Sequence, residues 1–290
     1  MKALSSNSQD KYRGYTDRGS SVFLSVIIPT YNRSEQVLES IRSAIDSFEG
    51  NTSYEVIVVD DASTDATRDI LRSEFLEEID AGRLRIVIND YNRGVAGSRN
   101  VGYELSQGAW VLCLDSDDQL LVGASDKILS ILSKNSDRSI VFFRCVDEKG
   151  QFVGKQLDKD VSLDLKTYLE HTSYGEVLVG LNKRLVRSPP FIEELRGYEG
   201  LAISKIIKKT TPALLSTVVA RRYNRGSDDR LSSSRGFLGR MPLLASGHLR
   251  MIKEFHREMS AKKLVSYFIK AGIYLIIGTM YRAINGRISR

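Results

Sequence analysis

Two carboxylates one residue apart follow an apolar run in the first half of the chain. Asp115, Ser116 and Asp117 come directly after residues 110–114, whose apolar composition predicts a buried strand. Side chains two residues apart leave a strand on the same side. Carboxylate oxygens select Mg²⁺ or Mn²⁺, and Mg²⁺ is commonly held by one or two carboxylates together with substrate phosphates. The spacing therefore suits a divalent cation held against a diphosphate, although such residues also fill ordinary turns.

The elements that position this triplet alternate along the chain. Short apolar runs predict strands at residues 22–29, 54–59, 84–88 and 110–114, and amphipathic helical patterns separate them. This alternation predicts βαβ crossovers, a parallel sheet, and a ligand site outside the carboxyl ends of the strands. Four polar loops are expected to converge there, at residues 29–33, 60–61, 92–100 and 115–118.

The predicted fold class is α/β, with a mostly parallel, Rossmann-like central sheet flanked by helices and a C-terminal helical extension. Residues 1–21 are polar and lack the apolar core of a signal peptide, so they are expected to form a disordered leader. Residues 22–235 are predicted to form the main domain, with a ligand-binding half at 22–121 and a second half at 122–235. Residues 236–290 are predicted to form a basic helical extension.

Positive charge is concentrated near the C-terminus. The chain of 290 residues has a formal net charge of +6, and after Asp229 twelve Lys and Arg face only two Glu. Residues 271–281 are eleven uncharged residues, whereas a helix that spans a bilayer needs about twenty. Two interpretations stay open: a helix in a membrane interface, and a helix packed on the main domain.

A basic tail is also compatible with nucleic-acid binding. Tyr267, Tyr274 and Tyr281 recur every seven residues, which fits one stripe of a packed or interfacial helix better. We therefore expect no nucleic-acid partner. Cys113 and Cys145 lie in apolar runs and are interpreted as structural thiols of a cytoplasmic protein.

Four motifs resemble those of the inverting glycosyltransferases of family 2, which have the A-type nucleotide-diphospho-sugar transferase fold. They are Ser-Val-Ile-Ile-Pro-Thr-Tyr-Asn at 25–32, Val-Val-Asp-Asp-Ala-Ser-Thr-Asp at 58–65, Asn-Arg-Gly-Val-Ala-Gly-Ser-Arg-Asn-Val-Gly at 92–102 and Leu-Asp-Ser-Asp-Asp at 114–118. The resemblance covers about residues 23–121 and then weakens. It implies an enzyme that moves a sugar, with inversion, from a nucleotide-diphosphate sugar to a glycan or lipid-linked glycan acceptor. The basic, apolar tail favours an acceptor at the membrane, as in bacterial surface polysaccharide synthesis, and peripheral contact with its cytoplasmic face.

The resemblance also implies roles for residues of the first two loops. Pro29, Thr30 and Tyr31 are expected to line the nucleoside pocket, with Arg33 near the nucleotide. Asp61 is expected to accept the uracil N3 proton, which favours a UDP-sugar as the donor.

In the next two loops, Gly94 is expected to let the backbone approach the donor. Arg99 is expected to border the donor. A structural ion pair between Arg99 and the acids at 115–118 is the alternative, and it would look the same in the sequence. Asp117 is the expected ligand of Mn²⁺ or Mg²⁺. Asp115 is expected to face the donor ribose or the cation, and Ser116 is assigned to the donor site.

The expected catalytic base is Glu199, within Gly-Tyr-Glu-Gly at 197–200. Many relatives have a second acid where this chain has Gly200, so Glu193 and Glu194 are alternatives, and Glu199 also suits a helix N-terminus. A non-catalytic sugar-nucleotide binder stays open for the same reason. A nucleotidyltransferase or a dinucleotide oxidoreductase is disfavoured, because no glycine-rich phosphate loop follows the first strand.

Overall fold

In the computed structural model, which describes residues 22–50, 53–170, 174–224 and 234–288, one nine-stranded sheet runs through the molecule. Its strands are β1 (Leu24–Thr30), β2 (Tyr54–Asp60), β3 (Leu84–Ile88), β4 (Trp110–Cys113), β5 (Gln119–Leu120), β6 (Ile140–Val146), β7 (Val161–Leu163), β8 (Val177–Asn182) and β9 (Ala213–Arg222). Their order is β3-β2-β1-β4-β8-β6-β9-β5, and β7 pairs with β9. The predicted leader, residues 1–21, lies outside the described residues.

Helices cover both faces of the sheet and continue beyond it. They are α1 (Gln36–Ser47), α2 (Thr67–Glu74), α3 (Leu76–Asp80), α4 (Gly94–Leu105), α5 (Ser125–Lys134), α6 (Leu165–Glu170), α7 (Glu199–Lys209), α8 (Ser234–Phe255) and α9 (Ala261–Ile288). A short 3₁₀ turn, Glu193–Leu195, precedes α7.

The first half of the sheet is parallel, because β1 pairs with β2 and β4, and β2 pairs with β3. Every residue of β1, β2 and β4 is buried, which explains the apolar runs in the sequence. Alternate side chains enter two separate cores. Ile28 and Val58 belong to the core on one face, and Ile27 and Ile57 to the core on the other.

The second half of the sheet is mixed. β8 lies between β4 and β6 and is antiparallel to both, whereas β6 and β9 are parallel. The predicted α/β class, with a Rossmann-like sheet flanked by helices and a C-terminal helical region, is confirmed. The sheet has two parallel parts, β3-β2-β1-β4 and the pair β6-β9, and β8 lies between them in the opposite direction.

α8 and α9 pack against each other to form a C-terminal hairpin. A small core that includes Leu195, Leu201 and Phe255 joins it to the rest of the molecule. α9 is an uninterrupted helix that continues on both sides of the eleven uncharged residues. By length and composition, its segment Ala261–Ile284 is long and apolar enough to cross a membrane, with a mean hydropathy of 1.5 and only 11% of the apolar window buried.

Candidate active site

The carboxyl ends of β1, β2 and β4 open into a cavity of about 600 Å³. All eleven residues assigned to the site from the sequence line it: Pro29, Thr30, Tyr31, Arg33, Asp61, Gly94, Arg99, Asp115, Ser116, Asp117 and Glu199. The other lining residues are Asn92, Val95, Ser98, Glu176, Arg196, Gly197, Tyr223 and Arg240. The structure thus brings the predicted residues together. Parallel-strand topology accounts for those in the loops after β1, β2 and β4, whereas Glu199 comes from α7.

Asp61 follows β2 directly and fixes the start of α4. Its Oδ1 accepts hydrogen bonds from Asn89 Nδ2 at 2.8 Å and from the Arg93 backbone N–H at 2.8 Å, and its Oδ2 accepts from the Gly94 N–H at 2.7 Å. Gly94 has φ 77°, a conformation that glycine adopts without strain. A carboxylate offers about four acceptor positions, so one position on Asp61 is left for a donor on a ligand.

The first two polar loops are bonded to each other. The backbone N–H of Asn32 donates to Ser63 Oγ at 2.9 Å, and the N–H of Thr64 donates to Asn32 Oδ1 at 2.8 Å. Asp60 is fully buried and accepts from the Ser63 N–H and from Arg68 Nε at 2.7 Å. Asp60 therefore holds the turn, while its neighbour Asp61 faces the cavity.

Asp117 lies at the end of the loop after β4, opposite Arg33. Arg33 Nη1 is 3.1 Å from Asp117 Oδ2 and donates to Ser116 Oγ at 3.2 Å. Within the described ranges, no three His, Cys, Asp or Glu side chains are grouped as a metal site. The donor set therefore fits a cation that takes one protein carboxylate, from Asp117, and draws its other ligands from a diphosphate and water.

Arg99 bridges the two sides of the cavity. Its Nη2 donates to Asp115 Oδ1, and its Nη1 donates to Glu199 Oε1 at 2.9 Å. Burial alone lowers the pKa of Arg99, but Asp115 and Glu199 outweigh burial and raise it above the ordinary value. The pKa of Asp115 shows the opposite balance: burial raises it, and Arg99 with Arg221 holds it below the usual range. Arg99 therefore lines the cavity and also forms the ion pair considered as an alternative. Asp115 is paired with Arg99 and Arg221, and Asp117 is paired with Arg33.

Asp118 does not line the cavity but pairs with Arg221 behind it. Arg221 Nη1 is 3.0 Å from Asp118 Oδ2, and both side chains are almost fully buried. The pKa of Asp118 is raised to about 7, mainly by burial and also by the nearby charge of Asp115, against the opposing effect of Arg221. Arg221, at the end of β9, therefore connects the late strand to the acidic loop.

Glu199 begins α7 and lines the cavity. The preceding Gly197 has φ 76°, so the chain turns sharply just before the helix. Glu193 forms an ion pair with Arg93 at 2.8 Å, and neither Glu193 nor Glu194 is among the described residues that line the cavity. The geometry therefore favours Glu199 over both alternatives.

Two arginines that the sequence reasoning missed lie beside Glu199. Arg196 donates to Asn92 Oδ1 at 3.0 Å and to the Asn92 carbonyl at 2.9 Å. Arg240, from α8, packs against Gly197, and its Nη1 donates to the Arg196 carbonyl at 3.3 Å. Arg196 is close to the Glu199 motif in sequence and was within reach of prediction. Nothing in the sequence around Arg240 indicates a place in the cavity.

The C-terminal hairpin also contacts the residue next to Glu199. Tyr198 Oη and His248 Nδ1 share a hydrogen bond of 2.6 Å, and the His248 ring packs against Tyr267 and Tyr274 of α9. The pKa of His248 is lowered to about 4, mainly by burial and also by the charge of Lys270. The tyrosine stripe of α9 therefore packs on α8, which in turn supports the loop that carries Glu199.

Comparisons with solved structures place the fold. TarS residues 1–349 from S. aureus, solved with UDP-GlcNAc, superimpose with a TM-score of 0.64 at 20% identity, over 86% of this chain and 72% of that one. The mannosyltransferase PcManGT from Pyrobaculum calidifontis, solved with GDP-Man and Mn²⁺, gives a TM-score of 0.61 at 17% identity, over 96% and 81%.

Sequence comparisons give the family. GalNAc(5)-diNAcBac-PP-undecaprenol beta-1,3-glucosyltransferase of Campylobacter jejuni is 30% identical over 275 residues, which are 90% of this chain and 85% of the relative. UDP-Glc:alpha-D-GlcNAc-diphosphoundecaprenol beta-1,3-glucosyltransferase WfgD of Escherichia coli is 28% identical over 184 residues, 63% of this chain and 70% of the relative. The family model described as "Glycosyl transferase family 2" matches residues 25–184. The chain is therefore a glycosyltransferase and belongs to glycosyl transferase family 2.

Proposed function

We propose that this glycosyltransferase moves a sugar, with inversion and with help from a divalent cation, from a UDP-sugar to a lipid-linked glycan in bacterial surface polysaccharide synthesis. The observation that carries the proposal is the single cavity shared by Asp61, Asp117 and Glu199. The acceptor class is supported by the two relatives above, whose names specify diphosphoundecaprenol-linked acceptors. One of them is also named for a UDP-glucose donor.

The donor base is assigned to the end of the cavity formed by β1 and β2. The remaining acceptor position of Asp61 suits an imide N–H, which uracil has and cytosine lacks at that edge. Pro29, Thr30 and Tyr31 surround the nucleoside, and the exposed ring of Tyr31 lies at the rim. This arrangement favours UDP over CDP or ADP, and the relative named for a UDP-glucose donor favours UDP over GDP, whose guanine also carries a ring N–H at that edge.

The diphosphate is assigned to the space between Gly94 and Asp117. The glycine lets the backbone approach the phosphates, and Arg33 can turn its guanidinium from Asp117 to a phosphate oxygen. A bound Mn²⁺ or Mg²⁺, held by Asp117 with Asp115 nearby, would stabilise the charge of the departing nucleoside diphosphate. Ser116, which accepts from Arg33, keeps that arginine close to the same place.

Proton transfer is assigned to Glu199. As the acceptor hydroxyl oxygen bonds to the sugar carbon, its proton passes to the Glu199 carboxylate, and the bond from that carbon to the diphosphate breaks. Arg99 holds Glu199 Oε1 and so orients the base. Arg196 and Arg240 lie next to Glu199 and border the acceptor.

The same assignment divides the chain by task. Residues 22–121 bind the nucleotide sugar, residues 122–235 form the acceptor half, and residues 236–290 form the extension that brings the enzyme to the membrane. A lipid-linked acceptor requires the enzyme to work at a membrane surface, so we place it in the cytoplasm, peripherally bound to the cytoplasmic face.

The proposal is tested by transfer from a panel of nucleotide sugars to a synthetic lipid-diphosphate-linked sugar, with Mn²⁺ or EDTA present. We expect activity with one UDP-sugar, strong inhibition by EDTA, and a product of inverted anomeric configuration. Equal activity with CDP-sugars would reject the role of Asp61, and activity with GDP-sugars alone would reject UDP as the donor. Activity that EDTA leaves intact would reject the role of Asp117, and release of a nucleotidyl product would reject sugar transfer itself.

A further inference from the structure

The side of α9 that points away from α8 is apolar and uncovered. We call this side the outer face of α9, and define it by six side chains that are each 53–62% exposed: Val265, Phe268, Ile269, Ile276, Met280 and Ile284. A helix on the surface of a soluble domain normally carries polar residues on its outer side. The outer face of α9 therefore has the composition of a surface that meets an apolar phase.

The opposite side of α9 is already occupied. Tyr267 and Tyr274 pack on His248 of α8, Ala271 is buried, and Gly278 lies against Pro242. The helix is thus apolar on two sides, and only the side toward α8 is covered. Packing on the main domain, which the sequence left open, therefore accounts for one side of α9 and leaves the outer face unexplained.

Charge on α9 is of one sign. The segment Ala261–Ile288 contains lysines and arginines but no Asp or Glu. At 100° per residue, Lys270 borders the outer face on one side and Arg282 on the other, and both side chains are exposed. Lys262 is exposed at the start of the helix. An apolar face with basic borders is complementary to the acyl chains and acidic headgroups of an anionic membrane.

We infer that the outer face of α9 docks into the headgroup region of an anionic membrane, with the helix axis parallel to the surface. Two other arrangements fit the charges less well. A second copy of the chain would bring two sets of positive borders together. A membrane-spanning α9 would place Lys270 well inside the bilayer and would draw α8, with its exposed Arg250 and Lys253, in with it.

Docking in this orientation brings the cavity close to the lipid. α8 lies between α9 and the cavity and contributes Arg240 to the cavity wall. Helix axes pack about 8–10 Å apart, so that wall lies within roughly 20 Å of the headgroups. A membrane-anchored acceptor can then reach Glu199 without leaving the bilayer. This benefit rests on the lipid-linked acceptor proposed above, whereas the docking surface rests on α9 alone.

The test is sedimentation of the full chain with vesicles of phosphatidylcholine, with and without phosphatidylglycerol, in the absence of any substrate. We expect binding to the anionic vesicles that weakens as salt is raised. The double variant V265D/I276D should bind more than about tenfold less tightly, because two apolar side chains can no longer be buried. The matched control is L76D/V122D, which makes the same charge change at exposed apolar residues of other surfaces and should keep binding.

A second variant, K262Q/K270Q, removes two exposed charges and leaves the apolar face intact. We expect anionic-vesicle binding to fall roughly fivefold for each charge. Melting temperatures equal to that of the wild type show that the variants are folded.

Three results would overturn the inference: no vesicle binding, equal loss in L76D/V122D, or retention in the membrane after an alkaline wash, which indicates a spanning helix. If the wild type does not bind vesicles but forms a dimer that V265D/I276D converts to a monomer, the outer face of α9 would be assigned to contact with a second copy. Transfer to a water-soluble, short-chain lipid-diphosphate-linked sugar separates the two proposals. Docking variants should retain that activity, and its absence in the wild type would count against the proposed function.

Discussion

The parallel half of the sheet, with the loops that follow its strands, and the C-terminal hairpin contribute to the same cavity by different means. Asp61 and Asp117 lie in loops that leave the carboxyl ends of β2 and β4, so buried strands fix their positions. Arg240 reaches the cavity from a helix that packs across Gly197. The first contribution depends on local chain geometry and the second on tertiary docking, so each can be disrupted without the other.

The largest loss of activity is expected for a substitution of Glu199, which both regions help to position. Glu199→Gln should lower kcat for sugar transfer about 10³-fold, because the amide cannot take the acceptor proton. Donor affinity, measured by calorimetry with UDP, should stay within a factor of about two of the wild-type value.

The matched control is Glu193→Gln, which alters an acid outside the cavity that pairs with Arg93. It should leave kcat almost unchanged. Undiminished transfer by the Glu199 variant, or an equal loss in the control, would remove Glu199 as the base.

The variant Asp117→Asn tests the contribution of the loops after the parallel strands separately from that of the hairpin. We expect a loss of about 10²-fold in kcat, since the cation that stabilises the leaving diphosphate loses its protein carboxylate. The affinity for UDP should also lose its dependence on Mn²⁺, a binding readout that does not require turnover. Asp126→Asn, at an exposed position of α5, should change neither quantity. Mn²⁺-dependent binding that survives in the Asp117 variant would contradict the assignment.

The variant Arg240→Ala tests the contribution of the hairpin to the cavity separately from that of the strand-end loops. We expect kcat/KM for the acceptor to fall about tenfold, which corresponds to about 1.4 kcal/mol, while UDP affinity stays constant. Arg250→Ala, an exposed arginine on the same helix, is the control and should keep wild-type kinetics. A loss of UDP affinity in the Arg240 variant would indicate that Arg240 contacts the donor. It would also contradict the expectation that the hairpin acts on the acceptor side only.

The remaining effect is on stability rather than on catalysis, and it concerns how firmly the hairpin is held. The pKa of His248 is lowered to about 4 in the folded chain and is about 6.5 in an unfolded one. As pH falls from about 6.5 to 4, the unfolded state takes up a proton that the folded state does not. The free energy of unfolding should therefore fall by on the order of 2 kcal/mol in this window.

Thermal melts at pH 7 and pH 5 check this expectation by comparing the wild type with His248→Gln. The variant removes the titrating group, so its melting temperature should change less between the two pH values. An identical pH dependence in both proteins would show that other groups cause it.

The sequence was sufficient to predict the cavity residues that lie in loops at the ends of parallel strands. β1, β2 and β4 are continuous apolar runs, and parallel pairing places the loops after them at one edge, so the convergence of Asp61 and Asp117 was predictable. The roles of these residues remain proposals. The second half of the sheet was harder to predict, because β8 pairs with β4, which lies more than sixty residues earlier in the chain.

Side chains that act across long sequence separations were not predictable. Arg221 reaches Asp118, and Arg240 reaches the Arg196 carbonyl, only after β9 and α8 have packed. Neither arginine belongs to a motif. The eleven uncharged residues of α9 were visible, but Lys270 and Arg282 appeared to end the segment, whereas the helix continues through both.

A crystal structure of the Glu199→Gln variant with its UDP-sugar and Mn²⁺, grown without acceptor, tests the account most directly, because the variant consumes the donor slowly. The account predicts uracil against Asp61, the diphosphate beside Asp117, and the reacting sugar carbon facing residue 199 across an open acceptor site. A UDP-sugar bound elsewhere, or one in which Asp61 and Asp117 do not touch the same nucleotide, would contradict it.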